Sequence, residues 1–102
     1  MPKLTPETRL KKAIKQYLKA IGVFHFHVLQ GLGAYKGVSD ILGFYKKRFL
    51  AIEVKSPNGR LSEHQKRFLA QVENNGGITI VAYSVEDVIN GLKFKTRERK
   101  NQ

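Results

Sequence analysis

The chain has 102 residues, enough for one compact domain with one hydrophobic core. Lysine and arginine number 19 against 8 for aspartate and glutamate, which gives a net charge of +11 and favours a polyanionic partner such as nucleic acid. Because there is no cysteine, disulfides, thiolate metal sites and cysteine nucleophiles are excluded. The sequence shows neither a signal-peptide pattern nor a run of about 20 apolar residues, so we expect a cytoplasmic protein.

Hydrophobic periodicity predicts seven elements of secondary structure. Thr5 caps a first helix, in which apolar residues repeat at helical spacing from Leu10 to Ile21 before Gly22 ends it. Ser62 opens a second helix, with a glutamine three residues later as a possible capping box. The predicted strands are 23–29, 41–45, 49–54 and 78–83, the second helix ends at 74–77, and a short third helix spans 85–92.

The element order α-β-β-β-α-β-α predicts an α/β fold, a single sandwich with a mixed central sheet and helices on its faces. No linker divides the chain, so residues 1–102 form one domain. A glycine-rich loop occupies 30–37, and the glycines let the backbone turn. Residues 93–102 are polar and mostly basic, and we expect a tail that is either flexible or bound to a partner.

The third predicted strand interrupts its apolar pattern with two charges. Side chains alternate between the faces of a strand, so Leu50, Ile52 and Val54 share the core face. Glu53 and Lys55 therefore project side by side from the other face. One reading of this pair is an ordinary salt bridge at a strand end, and the other is a chemical site.

Hairpin register decides what Glu53 faces. If the two lysines after Tyr45 form a two-residue turn, Tyr45 lies opposite Arg48. Counting outwards then places Asp40 opposite Glu53, with Cβ atoms roughly 5 Å apart. Two carboxylates at that distance repel each other, and Mg²⁺ or Mn²⁺ would offset the repulsion. Asp40 could also be a simple turn residue.

Such a site suits phosphodiester hydrolysis. A divalent cation held by Asp40 and Glu53 could bind a phosphate oxygen and lower the pKa of a water molecule. The Lys55 ammonium could then position that water or stabilise the charged phosphate.

Three short motifs in this order resemble those of the PD-(D/E)xK nuclease superfamily, and within it the VRR-NUC group, known from stand-alone phage-type domains. They are Gly37-Val38-Ser39-Asp40, Ala51-Ile52-Glu53-Val54-Lys55 and Leu61-Ser62-Glu63-His64-Gln65. The resemblance runs from Glu7 to about Leu92 and implies a restriction-endonuclease-like α/β/α sandwich. Ser39 stands where the family has proline, which weakens the first motif.

The resemblance implies a role for each matching residue. Asp40, Glu53 and the backbone carbonyl of Val54 would bind the metal, and Lys55 would be the catalytic lysine. Glu7 matches an acidic residue near the metal, although a glutamate in a first helical turn also suits the helix dipole. Gln65 lies on the inward face of its helix and matches a glutamine near the active site, a role compatible with capping.

Basic residues are candidate contacts for DNA phosphates, which supply the sequence-independent part of binding. They are Lys11, Lys12, Lys15, Lys36, Lys46, Lys47, Arg48, Arg60 and Lys66. His25 and His27 share a strand face, but a zinc site there lacks further ligands. His64 falls off the apolar stripe of the second helix, so we expect it to face solvent or phosphate.

These patterns favour a Mg²⁺- or Mn²⁺-dependent endonuclease that acts on DNA. The resemblance further implies selectivity for branched DNA, such as four-way (Holliday) junctions, and a homodimer. Two alternatives stay open: a non-catalytic basic nucleic-acid-binding module, and a restriction-type nuclease that cuts linear duplex.

Overall fold

The computed structural model describes residues 4–29 and 35–100, and for residues 95–100 only the backbone. Its elements follow the predicted order. The helices are α1 (Pro6–Ala20), α2 (Glu63–Asn74) and α3 (Val85–Lys100), and the strands are β1 (His25–His27), β2 (Ile41–Tyr45), β3 (Arg48–Val54) and β4 (Ile78–Ala82).

The strands form one mixed sheet in the order β1-β2-β3-β4. Neighbouring strands are antiparallel from β1 to β3, whereas β3 and β4 are parallel and are joined through α2. Helices α1 and α3 pack on one face of the sheet and α2 packs on the other. The predicted α/β/α sandwich with a mixed sheet is therefore confirmed.

Both faces of β3 are buried, which fixes where its charged residue lies. Leu50, Ile52 and Val54 belong to the larger core, together with residues of α1 and α3. Ala51 faces the smaller core under α2, where it packs with Leu69 and other apolar residues. Since side chains alternate along a strand, Glu53 follows Ala51 on the α2 face.

The β2–β3 hairpin has the predicted register. Tyr45 pairs with Arg48 and Ile41 pairs with Ile52, so Asp40 and Glu53 are the next residues along the two chains. The turn residues Lys46 and Lys47 have φ angles of 50° and 70°. This left-handed conformation costs roughly 1–2 kcal/mol for each non-glycine residue, so the strand pairing must hold the turn in place.

Two elements differ from their predicted lengths by more than one residue. Strand β1 is shorter than 23–29, although the Phe44 N–H still donates to the carbonyl of Phe24 at 3.1 Å. Helix α3 continues to Lys100, so the predicted end of this helix at Leu92 was wrong. The predicted basic tail from residue 93 is helical as far as residue 100, and its residues 101–102 lie outside the described residues. Lysine, arginine and glutamate are good helix formers, and no glycine or proline interrupts this stretch.

Most of the predicted glycine-rich loop lies outside the described residues, which resume at Tyr35. Gly37 has φ +83°, and a Cβ atom there would collide with the backbone carbonyl of His64. The segment before Asp40 can thus lie directly against the start of α2. Within the described ranges, no helix combines the length and apolarity needed to cross a membrane.

Candidate active site

Asp40 and Glu53 meet where β2 begins and β3 ends. Both side chains are buried, with 8% and 2% of their residue surface exposed. The N–H of Val54 donates a 2.7 Å hydrogen bond to Oδ2 of Asp40, which ties this carboxylate to the end of β3. The structure therefore brings together the two acidic residues that the hairpin register predicted.

Gln65 connects Glu53 to the first turn of α2. Its Nε2 donates to Oε2 of Glu53 at 3.2 Å. Its Oε1 accepts from the N–H of Ser62 at 2.9 Å, while its own N–H donates to the Ser62 hydroxyl at 3.1 Å. This capping box holds the amide rigidly, so Gln65 both caps α2 and orients Glu53.

Glu53 has an unusual protonation equilibrium. Burial, followed by hydrogen bonding to Asp40 and the negative charge of Asp40, raises the pKa of Glu53 from 4.5 to about 8. The charges of Lys55 and Lys11 act in the opposite direction. The other oxygen of Glu53, Oε1, is buried and accepts no hydrogen bond from the described residues. Without a bound cation, a proton relieves the repulsion between the two carboxylates.

Lys11 contacts this site, whereas the sequence suggested only a DNA contact. Its Nζ lies 3.2 Å from Oδ1 of Asp40 and 3.9 Å from Oε2 of Glu7. Glu7 therefore reaches the acidic pair through the lysine. The i, i+4 spacing of Glu7 and Lys11 was visible in the sequence, but their approach to Asp40 depends on how α1 packs on the sheet.

Lys55 follows β3 and borders the acidic pair. Its N–H donates to the carbonyl of Ala82 at 2.9 Å, which extends the parallel pairing by one residue. The side chain is half-buried, and a Cβ on Gly59 would lie 3.3 Å from its Cδ. No ion pair joins Lys55 to another described residue, so its ammonium can approach a substrate.

The donors at this site fit a small divalent cation bound mainly by water. Among the residues that the structure describes, no group of three or more His, Cys, Asp or Glu side chains could hold a metal ion. Mg²⁺ usually binds through one or two carboxylates and keeps several waters. That pattern is matched by Asp40, by the predicted Val54 carbonyl and by Oε1 of Glu53, which has no hydrogen-bond partner among the described residues.

From the sequence, Ser39 was noted only because it replaces the proline of the family motif. It is fully buried beside Asp40, and its hydroxyl has no hydrogen-bond partner among the described residues. Serine in place of proline keeps a backbone N–H and adds a polar group at this position.

The predicted phosphate contacts fall into an exposed group and a half-buried group, and Lys11, described above, belongs to the second. Six are solvent-exposed: Lys12, Lys36, Lys46, Lys47, Arg60 and Lys66. Lys15 is half-buried, with Nζ 3.5 Å from Nδ1 of His27. Arg48 donates to the carbonyls of Gly76 and Gly77 at 2.8 and 3.4 Å, which gives it a structural role at the end of α2. Contact of these residues with DNA stays a prediction.

The histidines do not form a metal site in the described part of the chain. Nδ1 of His25 lies 2.8 Å from the carbonyl of Val23, a local contact next to β1. His27 is exposed and no third ligand accompanies the pair. His64 is exposed at the start of α2, as expected.

A buried carboxylate pair with an adjacent lysine, at one end of a mixed sheet between helical layers, defines a nuclease-like α/β domain. The sequence profile of the VRR-NUC domain matches residues 5–86, so the chain belongs to the VRR-NUC family. A solved structure described as a VRR_NUC domain has a similar fold, with a TM-score of 0.72 and 25% identity. The match covers 88% of this chain and 97% of that one. No curated protein matches the chain.

VRR-NUC proteins are nucleases, and this chain is accordingly a nuclease domain.

Proposed function

We propose that this protein is a Mg²⁺- or Mn²⁺-dependent endonuclease that hydrolyses DNA phosphodiester bonds inside the cell. We further propose that it is a homodimer and selects branched DNA, such as four-way junctions. One observation carries the proposal: Asp40 and Glu53 converge in a buried position. Among the described residues, Oε1 of Glu53 has no hydrogen-bond partner and Lys55, whose charge acts on Glu53, forms no ion pair.

Each residue at this site has a role that follows from its contacts. Asp40 and Glu53 would hold the cation, together with the carbonyl of Val54. A bound divalent cation supplies Lewis-acid activation of the phosphate and lowers the pKa of a water molecule. Gln65 fixes the orientation of Glu53 through its 3.2 Å hydrogen bond. Lys55 stabilises the negative charge that develops on the phosphate during attack.

The positive surface supports DNA as the substrate. The chain carries a net charge of +11, and most of the predicted phosphate contacts are exposed. Such charges bind the DNA backbone without reading sequence, and their contribution falls as salt rises. Selection of branched DNA must then come from shape, for which two sites related by a two-fold axis are suited.

A cleavage assay tests this proposal directly. The protein is incubated with four-way junctions, flaps and linear duplex that are built from the same strands. Each substrate is tested in Mg²⁺, in Mn²⁺ and in EDTA. We expect cleavage that requires the cation, stops in EDTA and is fastest on the junction. Sequence-specific fragments from linear duplex would instead indicate a restriction-type nuclease. Tight binding without cleavage under every metal condition would leave a non-catalytic binding module.

Lys11 provides a second test because its ammonium already neutralises the site. We expect Lys11→Gln to bind Mn²⁺ more tightly than the parent, by up to about fivefold. A partly exposed ion pair contributes up to about 1 kcal/mol, and the variant no longer places an ammonium 3.2 Å from Asp40. Calorimetric titration of the protein without DNA measures the affinity.

Lys12→Gln is the matched control for this titration. Lys12 is the neighbouring residue on α1 and is exposed, but it makes no ion pair with the described residues. Equal affinities for the parent and both variants would show that Lys11 and the cation do not share a site.

A further inference from the structure

Helix α2 covers only half of its side of the sheet. It packs on β3 and β4, and the same face of β1 and β2 carries exposed aromatic side chains. We call Phe24, Phe26 and Phe44 the phenylalanine ridge; 64%, 47% and 53% of their respective surfaces are exposed. The ring centroid of Phe24 lies 6.1 Å from that of Phe26 and 6.3 Å from that of Phe44, so the ridge is one continuous surface.

The ridge offers ring faces to a ligand and no hydrogen-bonding side chains. The rings of Phe24 and Phe44 are inclined to each other by only 26°, so their faces have similar orientations. An open apolar cavity of about 510 Å³ lies beside the ridge, and its lining includes Tyr35, Leu42 and Phe49. The ring centroids of Phe44 and Phe49 are 5.8 Å apart, which joins the ridge to the cavity. This combined surface suits a ligand with flat, apolar faces.

Lysines lie at two ends of this aromatic surface. Lys47 is exposed in the tight turn between β2 and β3, three residues after Phe44. Lys36 is also exposed and directly follows Tyr35, whose ring centroid is 6.0 Å from that of Phe68 in the cavity wall. The aromatic faces are therefore flanked by positive charge, and a matching ligand carries negative charge beside its flat groups.

We propose that unpaired bases of single-stranded DNA stack on the phenylalanine ridge and in the cavity, while Lys36 and Lys47 bind the flanking phosphates. Every base has a flat π face, so stacking on aromatic side chains holds unpaired bases with little regard to sequence. In an intact duplex the bases stack on one another, and their faces cannot reach such a surface. Aromatic residues on an open sheet face bind single-stranded nucleic acid by the same physics in other folds.

Charge complementarity favours DNA over an apolar protein segment as the occupant. The chain carries a net charge of +11, which attracts a polyanion at every approach. An apolar segment would fill the cavity but would leave the flanking lysines without a partner. A duplex would supply phosphates alone. Single-stranded DNA supplies both the flat faces and the negative charges that this surface can bind.

The aromatic surface leads towards the proposed active site. Phe49, Ala51 and Glu53 alternate along one face of β3, and Glu53 is about 13 Å from Phe49 along the strand. A strand held on the ridge would therefore approach the acidic pair. The branched substrate would then be one whose branch carries an unpaired strand. This consequence for cleavage rests on the proposed function, whereas the stacking itself does not.

Fluorescence anisotropy with a labelled oligothymidylate, in EDTA to prevent cleavage, tests the proposal on the full chain. Phe24→Ala and Phe44→Ala should each raise the dissociation constant for the single strand by about 5- to 100-fold, because each removes one stacking partner. The dissociation constant for a duplex of the same length should change by less than about twofold, since the phosphate contacts remain. Phe94→Ala is the matched control, because Phe94 lies on α3 and is also 64% exposed, and it should bind like the parent.

An abasic strand provides a second measurement that needs no protein variant. It keeps the phosphates of the oligothymidylate but lacks the bases that would stack. We expect the parent to bind it more weakly than the intact strand, and Phe44→Ala to bind it as well as the parent does. Lys47→Gln should weaken binding of the intact and abasic strands by the same factor, because it removes a phosphate contact.

Thermal unfolding of each variant checks that the fold is retained. A parent that binds the abasic and intact strands equally well overturns the proposal. Equal weakening of single-strand and duplex binding in the two ridge variants overturns it as well, since the rings would then act through the fold or through a protein contact. Stacking of unpaired bases without any cleavage would contradict the proposed function alone. Metal-dependent cleavage by a protein that does not distinguish the two strands would contradict only this inference.

Discussion

Asp40→Asn is expected to reduce DNA cleavage by at least about 100-fold while DNA binding is largely retained. Asparagine keeps an oxygen that can accept the 2.7 Å hydrogen bond from Val54, so the end of β3 should stay in place. The substitution removes the negative charge and half of the carboxylate pair. Loss of a residue that only hydrogen-bonds to a metal ligand typically lowers metal affinity or activity by about 10- to 100-fold. Loss of a ligand itself should therefore lower activity further.

Lys55→Ala should have a comparable effect for a different reason. The lysine lies outside the buried core and makes no ion pair with the described residues, so its removal should leave the fold nearly unchanged. Loss of one group that stabilises developing charge typically lowers the rate by about 100- to 1,000-fold. Glu53→Ala should also abolish cleavage, but it empties a buried position and will destabilise the protein.

Single-turnover cleavage of a junction and a gel-shift titration in Ca²⁺ or EDTA separate the rate from binding. Asp87→Asn is the matched control for Asp40→Asn, because Asp87 also accepts a backbone N–H, that of Tyr83 at 2.8 Å. Lys93→Ala is the matched control for Lys55→Ala, because Lys93 is an exposed lysine on α3. If Asp40→Asn and Lys55→Ala cut as fast as their controls, the site assignment is wrong.

The second large effect is on stability, through the raised pKa of Glu53. The folded state holds a proton on Glu53 up to about pH 8, whereas the unfolded chain releases it near pH 4.5. The folded state therefore binds more protons in this window, and its stability falls as pH rises from about 4.5 to about 8. Below about pH 4.5 this loss of stability is absent, and above about pH 8 it no longer grows.

Glu53→Gln should remove this pH dependence, because the amide is neutral and can still bond to Gln65. We expect its melting temperature to match that of the parent near pH 4 and to exceed it by at least about 5 °C at pH 9, which corresponds to on the order of a few kcal/mol. Thermal unfolding without divalent cations, followed by circular dichroism across this range, provides the measurement.

Glu86→Gln controls for the loss of a carboxylate as such, since Glu86 is exposed in the first turn of α3. It should follow the parent at every pH. If the melting temperatures of the parent and of Glu53→Gln fall in parallel between pH 4.5 and 8, the proton on Glu53 does not set the stability of the fold.

Much of the site could be predicted because it depends on local geometry. The period-2 alternation of β3 placed Glu53 and Lys55 on one face, and the two-residue turn fixed the register that sets Asp40 against Glu53. The capping box likewise follows from the spacing of Ser62 and Gln65. Each of these relations spans only a few residues or one hairpin, so the sequence itself contains it.

The length of α3 was misjudged from local information. The sequence change after Leu92 from apolar to basic residues suggested a tail, yet the helix continues to Lys100. Loss of an apolar stripe removes the packing signal without removing helix propensity. The sequence also did not show that Phe24 and Phe44 form one exposed patch, because their contact depends on pairing between β1 and β2.

The sequence by itself determined the order of elements, the hairpin register and the identity of the acidic pair, since periodicity and turn length act over short distances. Only the tertiary structure decided that Lys11 meets Asp40, that Gln65 meets Glu53 and that burial raises the pKa of Glu53. It also decided that α2 leaves half a sheet face open. These features arise from the packing of helices on the sheet, which joins residues far apart in the chain and sets how much water reaches them.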